Sequence, residues 1–327
     1  MDMEKNFALM DLHLHLDGSL SLDSVKGLAA LQDIKIPDDD KELLEKLQVS
    51  EGCRDLNEYL EKFDFPCSLM QTPIGITTAV RNLEAELAAQ GLIYAEIRFA
   101  PQLHLQKGMT QSEVVAAAVK GMGQSELKST LILCCMRGKD NHAANLETVR
   151  VAKDFLGKGV GAIDLAGAEA LFPTADFEDL FVLAKELGIP YTLHAGEADG
   201  PESVYKALEF GAKRIGHGVR SLEDRALVQR LAAEGVTLEL CPTSNLNTSI
   251  FESYEAYPLR KLMAAGVKVT INTDNMTVSD TTVAAEQKHL NLAKEEMYLL
   301  AKNAVEAAFT DAETKVWLKE EVEKRFL

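Results

Sequence analysis

Eight short apolar runs, separated by longer stretches of helical periodicity, constrain this chain more than any other feature. They lie near Phe7–His13, Leu92–Phe99, Thr130–Met136, Val160–Leu165, Tyr191–His194, Arg214–Gly216, Thr237–Leu240 and Lys268–Asn272. Several are apolar almost throughout, as strands covered on both faces of a parallel sheet must be. Between them, Ile76–Gln90 and Ser112–Met122 are Ala-rich and amphipathic. His142–Leu156, Phe177–Leu187, Pro201–Glu209 and Leu222–Glu234 continue the helical pattern, with Gly211 and Gly235 placed as stops. Alternation of this kind specifies parallel βαβ units. Eight strands predict an α/β fold closed into a (β/α)₈ barrel; a doubly wound open sheet is the alternative.

The alternation is interrupted twice. Leu20–Thr72 reads as a charged, mostly helical insertion after the first strand, and Ser279–Leu327 as a helical tail after the last. There is no short-period repeat, low-complexity segment or clear linker, so residues 1–327 read as one domain. A barrel takes roughly 250 residues and tolerates insertions.

The formal net charge of −17 argues against nucleic acid or an anionic membrane as a partner, because both demand a basic face. Cys53, Cys67, Cys134, Cys135 and Cys241 show no CxxC spacing and are odd in number, which suits reduced thiols in the cytoplasm. Met1–Asn6 carries no signal-peptide pattern, and no apolar stretch approaches the ~20 residues of a membrane span.

Four of the seven histidines fall at or just after predicted strand ends, where barrel enzymes build their sites. His13 and His15 lie two apart, so both rings point to one side of a strand. By itself such a pair is a weak signal. His194 ends the fifth strand, with Glu197 in the following turn. His217 ends the sixth between two glycines, and Asp274 follows the eighth. In a barrel the last strand neighbours the first, so Asp274 can meet His13 and His15. Imidazoles and a carboxylate converging on one mouth suit a borderline metal ion. His104 and His142 have no motif around them and read as surface residues; His289, in the tail, reads as solvated.

The segments His13-Leu14-His15-Leu16-Asp17-Gly18, Asp164-Leu165-Ala166-Gly167, His194-Ala195-Gly196-Glu197, Gly216-His217-Gly218 and Thr273-Asp274 together resemble the adenosine deaminase family. Cys241-Pro242-Thr243-Ser244-Asn245 looks like its bacterial members. The resemblance spans about residue 11 to about residue 275, in family order. It implies one Zn²⁺ per chain held by His13, His15, His194 and Asp274. It implies that His217 helps deprotonate and orient the attacking water, that Asp274 shares the proton work, and that protonated Glu197 donates to N1 of the purine. Such a carboxyl needs a raised pKa, which burial can supply. Adenosine and 2′-deoxyadenosine would give the inosine forms plus ammonia.

Substrate contacts are implied at His15, Asp17 (ribose), Gly167 (a backbone N–H on the ring) and Asn275. Asp17, where free-base relatives more often look like His-Leu-Glu-Gly, favours a nucleoside. Asn275 departs from the family's usual second acid. Its amide N–H₂ can still donate to purine N7, a pure acceptor, without any pKa shift. This departure keeps open another 6-aminopurine, such as adenine or a modified adenosine. Leu56–Phe65 resembles the apolar lid over the ribose, with Phe63 and Phe65 either lining it or anchoring an insertion helix to the barrel. A catalytically dead binding relative is the reading from another class; the presence of every ligand and proton-transfer residue argues against it.

Overall fold

The computed structural model describes residues 9–50, 52–53 and 55–326. Eight parallel strands form two four-stranded sheets: β1 (Leu9–His15), β2 (Leu92–Phe99), β3 (Lys128–Met136) and β4 (Val160–Ala166), then β5 (His194–Ala195), β6 (Arg214–His217), β7 (Thr237–Leu240) and β8 (Lys268–Ile271). Neighbours in each sheet are consecutive in the chain. Two bridges join the sheets. Ile163 pairs with Tyr191, so that Thr192 N–H donates to Ile163 C=O at 3.0 Å. At the other seam Leu14 pairs with Asp274: His15 N–H donates to Asp274 C=O at 2.7 Å, and Asp274 N–H to His13 C=O at 2.8 Å. These seams close a (β/α)₈ barrel and bring the end of β8 to the end of β1.

β2 and β7 occupy the predicted ranges. Phe7 and Ala8, predicted to begin the first strand, lie outside the described residues. The fifth strand departs most: regular pairing is confined to His194–Ala195, with Tyr191 held by one bridge. Pro190, just before it, still accepts from Ile163 N–H at 3.0 Å but has no N–H of its own to give. The helix predicted over Leu222–Glu234 begins later, at Arg225. Asp224 caps it, accepting hydrogen bonds from Ala226 and Leu227 N–H, after a 3₁₀ turn over Val219–Glu223.

The main apolar core lies between the barrel and its helices. The tail helices Lys294–Ala307 and Ala312–Phe326 pack Ala301, Ala304, Leu318 and Val322 against Leu12 and Tyr94. The insertion forms helices Leu22–Leu31, Asp40–Leu47, Leu56–Leu60 and Asp64–Ser68. Unlike a barrel filled by aliphatic layers, this one carries Arg98, Arg214, Glu96, Asp164 and Glu239 in its buried interior. Buried charges persist only when paired, and here the pairing is mutual. Arg98 bridges Asp164 and Glu239 at 2.8 Å each, and Arg214 bridges Glu96 and Glu239 at 2.6 and 2.7 Å.

His104 is a correction. It was expected at the surface but is fully buried on the 3₁₀ turn Pro101–His104, its ring 5.9 Å from that of Phe99. The insertion covers this turn, Gln71 donating to Leu103 C=O. Burial pushes the His104 imidazole down to about 4. His142 is exposed near Asp179, and His289 is exposed and stacked on Tyr254.

Candidate active site

His13 and His15 sit on β1, His194 opens β5, and Asp274 follows β8. One donor atom from each lies within 4.8 Å of all the others. His194 Nε2 is 3.0 Å from His13 Nε2 and 3.2 Å from His15 Nε2, and Asp274 Oδ1 is 3.4 Å from both His13 and His15 Nε2. A tetrahedral ion with bonds of about 2.0–2.1 Å separates its ligands by roughly this much.

The far sides of two rings decide what the near sides offer. His13 Nδ1 faces Glu239 Oε2 at 2.8 Å, and His194 Nδ1 faces Asp164 Oδ2 at 2.9 Å. Both carboxylates stay well below the usual carboxylate range despite burial: Arg214 and Arg98 hold Glu239, and the facing His194 ring together with Arg98 holds Asp164. Each therefore accepts a hydrogen bond from Nδ1–H, and a neutral ring held this way presents its lone pair at Nε2. Lone pairs and a carboxylate aimed at one point repel unless a cation stands between them, so the four residues fit a metal ion. Gly216 makes the room: a Cβ there would meet His13 Cε1 at 2.9 Å.

A cavity of about 200 Å³ opens beside these donors. His15, Asp17, Gly167, His194, Glu197, His217, Asp274 and Asn275 all line it, and Leu56, Tyr59, Leu60 and Phe63 roof it. Phe63 thus reaches the cavity, its ring 6.3 Å from that of His15. Phe65 does not: it packs on the main core, because its helix turns it away from the mouth.

Four buried atoms on this cavity's residues, Asp17 Oδ1, Glu197 Oε1, His217 Nε2 and Asn275 Oδ1, have no protein partner. Buried polar groups are otherwise almost always paired, so the site is shaped for a polar ligand. Burial, reinforced by the charges of Asp274 and Glu169, holds the Glu197 carboxyl well above its usual range, so it stays protonated. Burial lifts Asp17 to about 6 and keeps His217 neutral by lowering its imidazole. His217 and Asp274 both adopt left-handed backbone, φ 58° and 61°, which is uncommon outside glycine and typical of functional sites. Gly167 has φ 105°, open only to glycine.

Sequence reasoning missed several supports. The Glu169 carboxylate accepts the backbone N–H groups of Gly196, Glu197, Ala198 and Asp199 at 2.7–3.0 Å, which fixes the loop that presents Glu197. Ser244 donates to Asp274 Oδ2 at 2.6 Å. Asn245 lies 3.1 Å from His217 Nδ1. Tyr59, on the roof, hydrogen-bonds Ser279 at 2.7 Å and ties the lid to the segment following Asp274. Ser244 and Asn245 stood in a recognised motif without a role; Glu169 and Glu239 carry no local signal.

A closed α/β barrel with four converging donors and a neutral carboxyl at the C-terminal mouth defines a metal-dependent hydrolase. The adenosine deaminase family model matches residues 8–325, and the chain belongs to that family. It is 47% identical to an adenosine deaminase of Haemophilus ducreyi, covering 98% of this chain and 97% of that one. An adenosine deaminase of Clostridium botulinum is 42% identical, with 98% of each covered. Among solved structures, the adenine deaminase of Arthrobacter aurescens matches with a TM-score of 0.86 at 30% identity, covering 97% of this chain and 98% of that one. Among the described residues, no helix is long and apolar enough to cross a membrane.

Proposed function

We propose that this chain hydrolyses adenosine and 2′-deoxyadenosine to inosine and 2′-deoxyinosine plus ammonia, with one Zn²⁺ per chain, in the cytoplasm. The observation that carries this reading is the pairing, in one cavity, of the His13–His15–His194–Asp274 donor set with a neutral Glu197 carboxyl. Zn²⁺ on those four residues would lower the pKa of water toward ~7 and so make a nucleophile available at neutral pH.

The chain's own residues do the rest. Glu197 donates its proton to N1, which breaks ring aromaticity and makes C6 electrophilic. His217 and Asp274 hold the attacking water on the C6 face and manage its proton. Gly167 N–H and the Asn275 amide address the ring nitrogens, and Asp17 receives the ribose hydroxyl. The roof formed by Leu56, Tyr59, Leu60 and Phe63 covers the sugar and limits bulk water. Loss of ammonia from C6 then leaves inosine.

A second reading, another 6-aminopurine such as adenine, is favoured by one observation: Asn275, not an acid, lines the cavity beside Asp274. Ammonia release from adenosine, 2′-deoxyadenosine and adenine separates the two. Turnover of both nucleosides and not of the free base is expected; turnover of adenine alone would refute the nucleoside reading.

A further inference from the structure

His217 is fully enclosed, so its neighbours dictate which ring nitrogen carries the proton. Nδ1 lies 3.1 Å from Nδ2 of Asn245, on the short helix Pro242–Asn247. The opposite end of that amide, Oδ1, lies 2.9 Å from the Tyr257 hydroxyl. Amide orientation must be argued from its partners, and here they agree. A buried hydroxyl rarely goes without a hydrogen-bond acceptor. The hydroxyl proton therefore needs an acceptor, and Asn245 Oδ1 is the one within reach. Flipping the amide would leave the buried Tyr257 O–H without a partner, at a cost of about 1–3 kcal/mol. Asn245 and Tyr257 are themselves buried, so water does not readily take either place.

We propose that Asn245, oriented by Tyr257, is a positioning residue that donates to His217 Nδ1 and so fixes the imidazole proton on Nε2. Nε2 is the ring nitrogen that has no protein partner, and it lies 3.6 Å from Glu197 Oε2. His217 then enters the reaction as a hydrogen-bond donor. It orients the attacking oxygen and stabilises charge that develops on it. It does not serve as the base, a task that falls to Asp274, whose carboxylate lies among the converging donors. This inference rests on the deaminase reading for its mechanistic meaning, but the tautomer is measurable without turnover.

The test is a long-range ¹⁵N–¹H correlation spectrum of zinc-loaded protein labelled with ¹⁵N-histidine, the His217 pattern being assigned by its loss in His217→Gln. The expected pattern has an unprotonated Nδ1 and a protonated Nε2. Asn245→Asp can only accept from the ring, so it should invert the pattern. It should also lower kcat for adenosine about a hundredfold while KM stays within about threefold. Tyr257→Phe frees the amide to rotate and should give a mixture of the two patterns. A wild-type spectrum with protonated Nδ1, or an inverted Asn245→Asp enzyme with unchanged kcat, would overturn the proposal. The two readings fail separately: wild-type protein that releases no ammonia from adenosine refutes deamination, whereas an active enzyme protonated on Nδ1 refutes this inference.

Discussion

Glu239 Oε2 lies 2.8 Å from His13 Nδ1, and the same oxygen accepts a hydrogen bond from Arg98 at 2.8 Å. One buried carboxylate thus joins the candidate metal site to the charge lattice inside the barrel.

Glu239→Gln should loosen the metal and the fold together. Losing a carboxylate behind a ligating histidine typically weakens metal binding 10–100-fold. Leaving Arg98 and Arg214 under-neutralised in the interior should also cost about 3–5 kcal/mol. Zinc competition against a chelator and urea unfolding would check both; wild-type values in either would contradict the arrangement.

Glu197→Gln removes the transferable proton but keeps the shape of the side chain. Because Glu197 is not among the four converging donors, zinc content should be unchanged. Ammonia release should fall by about 10²–10⁴-fold. Full activity in this variant would remove Glu197 from the reaction.

Asn275→Ala should raise KM for adenosine about tenfold with a smaller effect on kcat, since one hydrogen bond to the ring is worth about 1–1.5 kcal/mol. Steady-state kinetics would check it, and an unchanged KM would show that the amide does not touch the purine.

His104 makes the fold sensitive to acid. Its folded-state pKa, about 4, lies below the ordinary 6.5, so the unfolded chain binds the proton more readily. The stability tied to keeping this ring neutral is complete above about pH 6.5. It declines as the pH falls toward 4, by roughly 3 kcal/mol at most. Urea unfolding at pH 7 and pH 5 should show a smaller decline for His104→Met than for wild type; equal declines would show that this ring does not carry the effect.

The parts of this molecule that were legible in its sequence are those written locally. β2 and β7 are short apolar runs bounded by polar segments, and periodicity alone delimits them. His13, His15, His194, His217 and Asp274 stand at strand ends, so barrel topology alone brings them together. The supports behind them are written nowhere locally. Glu239 meets His13 across 226 residues, and Glu169 meets the Gly196–Asp199 loop across some thirty, with no motif at either end. His104 was misplaced for the same reason: the insertion that buries it is distant in sequence, and nothing beside His104 announces it.

The most direct test of the whole account is zinc reconstitution. Protein stripped with a chelator is titrated with Zn²⁺ while ammonia release from adenosine is followed. The account predicts no turnover without metal, a linear rise, and a plateau at one Zn²⁺ per chain. Full turnover in the stripped protein, or none at the plateau, would contradict it.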